Sequence, residues 1–124
     1  KWYNEETKEY VEVFKKINFW SLPKVLIVVL KRFDNMGRKN SKMIKYPFDL
    51  DLSKYCVGYK RKSYKYSLIS VANHIGNLNS GHYFSYVKNL NGKWYNFNDT
   101  VVSEVEDNDV ITNNAYCLLY KKNN

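Results

Sequence analysis

The chain has 124 residues, 44% hydrophobic and 26% charged, enough for one globular unit with a modest core. Its formal charge is +8, with 20 Lys and Arg against 12 Asp and Glu, and the basic residues are spread along the chain, which argues against nucleic acid as the main partner. Two cysteines make no disulfide framework and no CxxC pair offers zinc a site, while the apolar run from Val25 to Leu30 is too short to span a membrane.

The first six residues, Lys1-Trp2-Tyr3-Asn4-Glu5-Glu6, are neither a signal nor a transit peptide. The missing initiator Met implies a start inside a longer polypeptide. Two reduced thiols suit an intracellular protein of the cytoplasm or nucleus. Residues 1–9 are polar and read as loosely held. Tyr10 to Trp20 fits both helical and strand periods, and its β-branched and aromatic content favours strand. Val25 to Phe33 reads as a buried central strand, Asp34 to Asn40 as a turn, and Lys42 to Tyr46 as the returning strand. A short helical turn is expected within Leu50 to Tyr55, capped by Asp49 or Asp51. Lys60-Arg61-Lys62, with Lys54 and Lys65 nearby, reads as a solvated basic loop. Tyr64 to His74 alternates as a strand, and Ile75 to Gly81 reads as a loop. Tyr83 to Lys88 and Lys93 to Phe97 form a hairpin around Asn89-Leu90-Asn91-Gly92. Thr100 to Val105 continues extended, Asp107 to Thr112 holds a short helix, and Ala115 to Tyr120 closes the fold. The sum is a predominantly antiparallel β structure with little helix, of six or seven strands, of the α+β class.

His82 carries the most chemistry. Gly81 precedes it, and the returning strand brings Asn98 and Asp99 back against it. A His oriented by an Asn or Asp side chain is the base-and-orienter half of a Cys-His-Asn/Asp site. Strand alternation lets only one of Asn98 and Asp99 face His82 directly. The plainer alternatives are a structural His and an ordinary Asn-Asp-Thr turn. His74 reads as a partly exposed spectator that can line the same cleft, and Trp94 as core. Neither cysteine suits a nucleophile: Cys117 lies in an apolar strand where burial raises its pKa, and no helix starts after Cys56.

Several motifs together resemble the ubiquitin-specific proteases. Leu22-Pro23-Lys24-Val25-Leu26 through Leu30-Lys31-Arg32-Phe33 resembles their LP-x-VL…LKRF segment, and Leu50-Asp51-Leu52-Ser53-Lys54-Tyr55 their L-D-L-S-x-Y segment. Asn73-His74 through Gly81-His82-Tyr83 resembles their His box. Trp94 to Asp99 and Ala115 to Tyr120 resemble the two segments that close the domain. The match runs over about residues 10–121 in family order.

The resemblance implies the palm part of a papain-like cysteine peptidase with fingers, palm and thumb, residues 1–124 being the C-terminal part of one catalytic domain. It implies cleavage of the isopeptide bond after ubiquitin's C-terminal Gly. It aligns His82 with the general base, Asn98 with the third catalytic position and Asp99 with its acidic neighbour. His74, Gly81 and Tyr83 fall on the channel for ubiquitin's tail, His74 to Gly81 aligning with its mobile roof. Ser80 stands where the family usually has a Gly, which stiffens that loop. The G-N-T-C nucleophile box is absent, and so are the family's zinc-binding CxxC pairs. The expected partners are therefore ubiquitin, ubiquitinated proteins and an N-terminal half carrying the thiol, with no metal, cofactor, nucleic acid or membrane. The acidic residues that receive ubiquitin's basic tail are expected mostly on that other half. The chain alone is expected to be inactive. The alternatives are a non-catalytic ubiquitin-binding or scaffolding module derived from such a protease, and a basic nucleic-acid binder.

Overall fold

A computed structural model of the chain describes residues 1–59 and 63–124; the basic run Lys60-Arg61-Lys62 lies outside the described residues. The strands in chain order are β1 (Trp2–Asn4), β2 (Glu9–Val11), β3 (Val25–Val29), β4 (Asp49–Asp51), β5 (Lys65–Gly76), β6 (Gly81–Lys88), β7 (Trp94–Asn98), β8 (Val101–Val105) and β9 (Ala115–Lys122). Helix among the described residues is limited to 3-10 turns at Ser53–Tyr55 and Asp107–Asp109. The predominantly antiparallel expectation holds, and the strands outnumber the six or seven expected.

Among the described residues, strands β1 and β2 pair only with each other. The remaining seven make one antiparallel sheet, six in the order β3-β9-β5-β6-β7-β8 with β4 pairing β5 off that path. Long β5 is its spine: β9 pairs along one edge, while β4 and then β6 share the other. A register shift between Leu68 and Ser70 breaks the simple alternation of β5. As a result Tyr66, Leu68, Val71 and Asn73 are all fully buried, where strict period two would have turned Val71 and Asn73 outward.

One face of the sheet carries the core. Tyr66, Leu68 and Val71 of β5, Leu118 and Tyr120 of β9 and Trp94 of β7 pack there under Tyr46, Tyr64 and Val110. The buried tyrosines keep their hydroxyls satisfied: Tyr46 donates to the Val110 carbonyl at 2.7 Å, Tyr66 to Pro23 at 2.6 Å and Tyr120 to Pro47 at 2.7 Å. Burial, with Tyr46 adding to it, pushes the Tyr120 hydroxyl up to about 12.

Several expectations need correction. Val25 to Phe33 is not a buried central strand. Its ladder part, β3, lies at one edge of the sheet, with Val25, Ile27 and Val29 exposed and Leu26 and Val28 packed on the core. Lys42 to Tyr46 forms no strand, because Arg32 claims carbonyls a ladder would need: Nη1 donates to Asn40 O at 2.9 Å and Lys42 O at 3.0 Å. The polar residues 1–9 are shaped into a hairpin with β2. Asn4 Oδ1 accepts the Glu6 amide at 2.9 Å and the Thr7 amide at 3.4 Å, and Lys8 turns at φ 60°. Beyond Val11 the segment to Trp20 is irregular, apart from a parallel bridge from Phe19 to Cys56. The expected turn at Asp34 to Asn40 is present, closed by Gly37 N to Asp34 O at 3.0 Å with Gly37 at φ 74°. Before Cys56 the turn starts at Leu52 with no side-chain cap, in place of the expected Asp49 or Asp51, although Asp51 Oδ1 accepts the Ser53 amide at 2.9 Å.

Candidate active site

The β5–β6 hairpin is tighter than the sequence suggests. Pairing continues to Gly76 opposite Gly81, which leaves only residues 77–80 as the loop in place of Ile75 to Gly81. Asn77 organises it: its Oδ1 accepts the amides of Asn79 at 3.0 Å and Ser80 at 2.8 Å, and its own amide donates to Ser80 O at 2.9 Å. Gly76, at φ 97°, supplies the conformational freedom. Ser80 sits in this turn without a left-handed φ, so the Ser in place of Gly causes no backbone strain.

Gly81 serves space rather than freedom. A Cβ there would collide with His74 Nε2 and lie 2.8 Å from the Ile75 carbonyl oxygen. His74 pairs with Tyr83, whereas His82 pairs with Ile75, so the two histidines project from opposite faces of the sheet. His74 is buried, not partly exposed as expected. Its ring centroid lies 4.7 Å from Tyr83, 5.6 Å from Phe33 and 6.0 Å from Tyr116. Burial foremost, with the nearby Lys39 ammonium, holds its pKa below the ordinary value, so the ring is neutral at neutral pH. Lys39 Nζ donates to the His74 carbonyl at 2.6 Å. Residue patterns alone did not single out Phe33, Lys39 or Tyr116, which reach His74 from three separate segments.

His82 is placed by pairing. Ser85 lies opposite Phe97, which sets Asn98 one step further, diagonally across from His82 on the same face. Asn98 Oδ1 stands 2.6 Å from His82 Nε2. An amide oxygen only accepts, so Nε2 carries the proton and the lone pair of the neutral ring is on Nδ1. Asp99 follows at φ 52°, opening the two-residue turn into β8, and its Oδ2 is 4.0 Å from the same Nε2. Asn98-Asp99-Thr100 is thus a turn whose first residue also contacts His82. Asn98 makes the direct contact, and the Asp99 side chain is 79% exposed.

Neither cysteine reaches this site. Cys117 pairs with Ala72 on the face opposite to His82, and burial raises its pKa. Cys56 packs against the core cluster that includes Tyr66, which lies nine residues along β5 from Ile75, roughly 30 Å at strand rise. Trp94 is core, 1% exposed.

The site thus consists of an imidazole hydrogen-bonded at Nε2 by an Asn side chain at the end of an antiparallel sheet. Residues 3–120 match the family described as "Ubiquitin carboxyl-terminal hydrolase", and the chain belongs to that family, among its ubiquitin-specific proteases. It is 38% identical over 126 residues to ubiquitin carboxyl-terminal hydrolase 15 of Homo sapiens, covering 98% of this chain and 13% of the relative. It is 39% identical to ubiquitin carboxyl-terminal hydrolase 4 of Mus musculus with the same coverage. Among solved structures, a chain of the SAGA DUB module of Ubp8, Sgf11, Sus1 and Sgf73 bound to monoubiquitin superposes with a TM-score of 0.82 at 30% identity. That match covers 99% of this chain and 28% of the other. The present chain therefore spans about an eighth of the length of these curated relatives.

Proposed function

We propose that this chain is the base-supplying part of a thiol-dependent deubiquitinase. His82 Nδ1 accepts the proton of a cysteine thiol contributed by polypeptide outside these 124 residues. The thiolate attacks the carbonyl of ubiquitin's last Gly, and His82 then returns the proton to the leaving Lys amine. Asn98 holds the ring in the Nε2–H tautomer. Asp99 stabilises the imidazolium that forms. The observation that carries the reading is the 2.6 Å contact between His82 Nε2 and Asn98 Oδ1.

Gly81 and Tyr83 line the channel for ubiquitin's tail. His74 acts there by supporting the Tyr83 ring from below. Ubiquitin as partner is supported by the solved neighbour bound to monoubiquitin. The thiol-bearing half is a partner in the same sense. The protein is assigned to the cell interior on its two unpaired thiols; no helix among the described residues is long and apolar enough to cross a membrane.

The test is hydrolysis of a ubiquitin C-terminal fluorogenic reporter by the full protein. His82→Ala is expected to lose about 10²–10⁴-fold in rate, the usual contribution of a positioned base. A folded His82→Ala protein that turns over at the wild-type rate would sink the proposal. Residues 1–124 alone are expected to release no reporter. Release by them that disappears in Cys56→Ala would place the nucleophile within the chain instead.

A further inference from the structure

The tip of the β5–β6 hairpin overhangs its neighbour β9. The last β5–β9 partners are Asn73 and Ala115, and the His74 amide then donates to Asn114 O at 2.8 Å. In an antiparallel ladder the amide and carbonyl of one residue face the same way. The His74 carbonyl therefore also points away from β6, and among the described residues no strand pairs with it there. Lys39 takes that place: its Nζ donates to His74 O at 2.6 Å.

The same alternation leaves His74 and Tyr83 without mutual backbone bonds and makes Ile75–His82 the hydrogen-bonded pair. The peptide group between His74 and Ile75 is thus held at both ends. Its oxygen accepts from Lys39, while its N–H, trans to that oxygen, donates across the hairpin to the His82 carbonyl. Hydrogen bonds in series through one peptide group reinforce each other.

Lys39 stands on a firm mount. Phe33 and Lys39 form a bridge at the base of the 34–40 turn, and the Asn40 amide donates to Arg32 O at 2.6 Å. Asp34 Oδ1 accepts the amides of Met36 and Arg38, each at 2.9 Å, and Oδ2 takes the Arg38 guanidinium at 2.8 Å. That carboxylate is engaged by Arg38, and Lys39 forms no ion pair among the described residues. Burial foremost, then the Arg32 charge, lowers the Lys39 pKa, so ion pairing does not explain why an ammonium is placed here. The turn also meets the tip directly: a Cβ on Gly37 would lie 3.1 Å from Leu78 Cδ2, within the 77–80 loop.

We propose that Lys39 is a positioning residue for the general base: from the 34–40 turn it fixes the overhanging tip and, through the His74–Ile75 peptide, sets His82 against Asn98. This role rests on the deubiquitinase reading of His82. Lys39 acts through backbone alone. A base has to be held within about 0.5 Å of its productive geometry, and an unpropped hairpin tip does not meet that tolerance.

The test uses the full protein and the ubiquitin C-terminal reporter. Lys39→Met, similar in length but unable to donate, is expected to lower kcat and kcat/KM together by about tenfold, the effect of one lost charge-assisted hydrogen bond felt at the reacting step. Lys39→Gln, too short to reach the carbonyl, should do the same, and it carries the test if Lys39→Met does not fold. Lys39→Arg, which can donate to the same oxygen, should recover most of the rate. A lysine that only stabilised the fold would lower the melting temperature and leave kcat of the folded protein intact. Amide hydrogen exchange, read without ubiquitin, should quicken at Ile75 and His82 in Lys39→Met and Lys39→Gln but not in Lys39→Arg. Wild-type kcat in the folded Met or Gln variant, a loss carried by KM alone, or unchanged exchange at Ile75 and His82 would each overturn the proposal. Wild-type protein that releases no ubiquitin would instead count against the deubiquitinase reading, and the exchange result would still decide whether Lys39 holds the tip.

Discussion

Gly81 and His74 show how one side chain decides another's identity. Gly81→Ala must drive a methyl group into His74 Nε2, and the expected cost is about 1–3 kcal/mol of stability, the range for overpacking. His74→Ala in the same background should recover part of that loss, which a double-mutant cycle of thermal melts would measure. On the other face, Asn98→Ala removes the acceptor on His82 Nε2, leaving a ring free to turn or to take the wrong tautomer. The expected outcome is a fall of about one to two orders of magnitude in kcat/KM on the ubiquitin reporter, smaller than that of removing the base itself. Asp99→Asn should cost only a few-fold at low salt and less as salt rises, because its carboxylate is 4.0 Å away and largely in water. Equal losses for Asn98→Ala and Asp99→Asn in rate assays would overturn this division of roles.

Strand-level reading of the sequence succeeded where a pattern was local and failed where a partner decided the outcome. The β6–β7 hairpin, β9 and the 3-10 turn before Cys56 were legible because turn residues and alternation specify them within a few residues. The edge position of β3 was not. A run such as Val25-Leu26-Ile27-Val28-Val29 reads the same whether one face or both are covered, and only the register with β9 shows that alternate residues are exposed. The register shift after Leu68 likewise comes from pairing with β9, and it carries Val71 and Asn73 into the core. Asn77 holds the hairpin between β5 and β6 through two amides, so Asn77→Ala is expected to destabilise the protein by about 1 kcal/mol. Faster amide hydrogen exchange at Asn79 and Ser80 than in wild type would check it.

Across the whole molecule, protonation of the buried His74 ties stability to pH. Burial depresses the pKa of His74, so below its ordinary value of 6.5 the unfolded chain binds a proton that the native protein resists. Stability contributed by the neutral ring is present above that pH and is lost as pH falls toward the native pKa. The melting temperature is therefore expected to drop between pH 7 and 5, and His74→Phe, which keeps an aromatic ring there, should flatten that drop. Asp34, held below its ordinary 3.8 first by the Arg38 amide and then by its guanidinium, adds a further loss only below about pH 4. The sequence by itself determined the family, the antiparallel class and the pairing of His82 with the Asn98-Asp99 turn, because hairpin spacing and side-chain chemistry are local. Only the tertiary structure decided that Asn98 and not Asp99 makes the contact and that His74 is buried on the opposite face. Those outcomes depend on strand register and sheet face, which are set by long-range pairing.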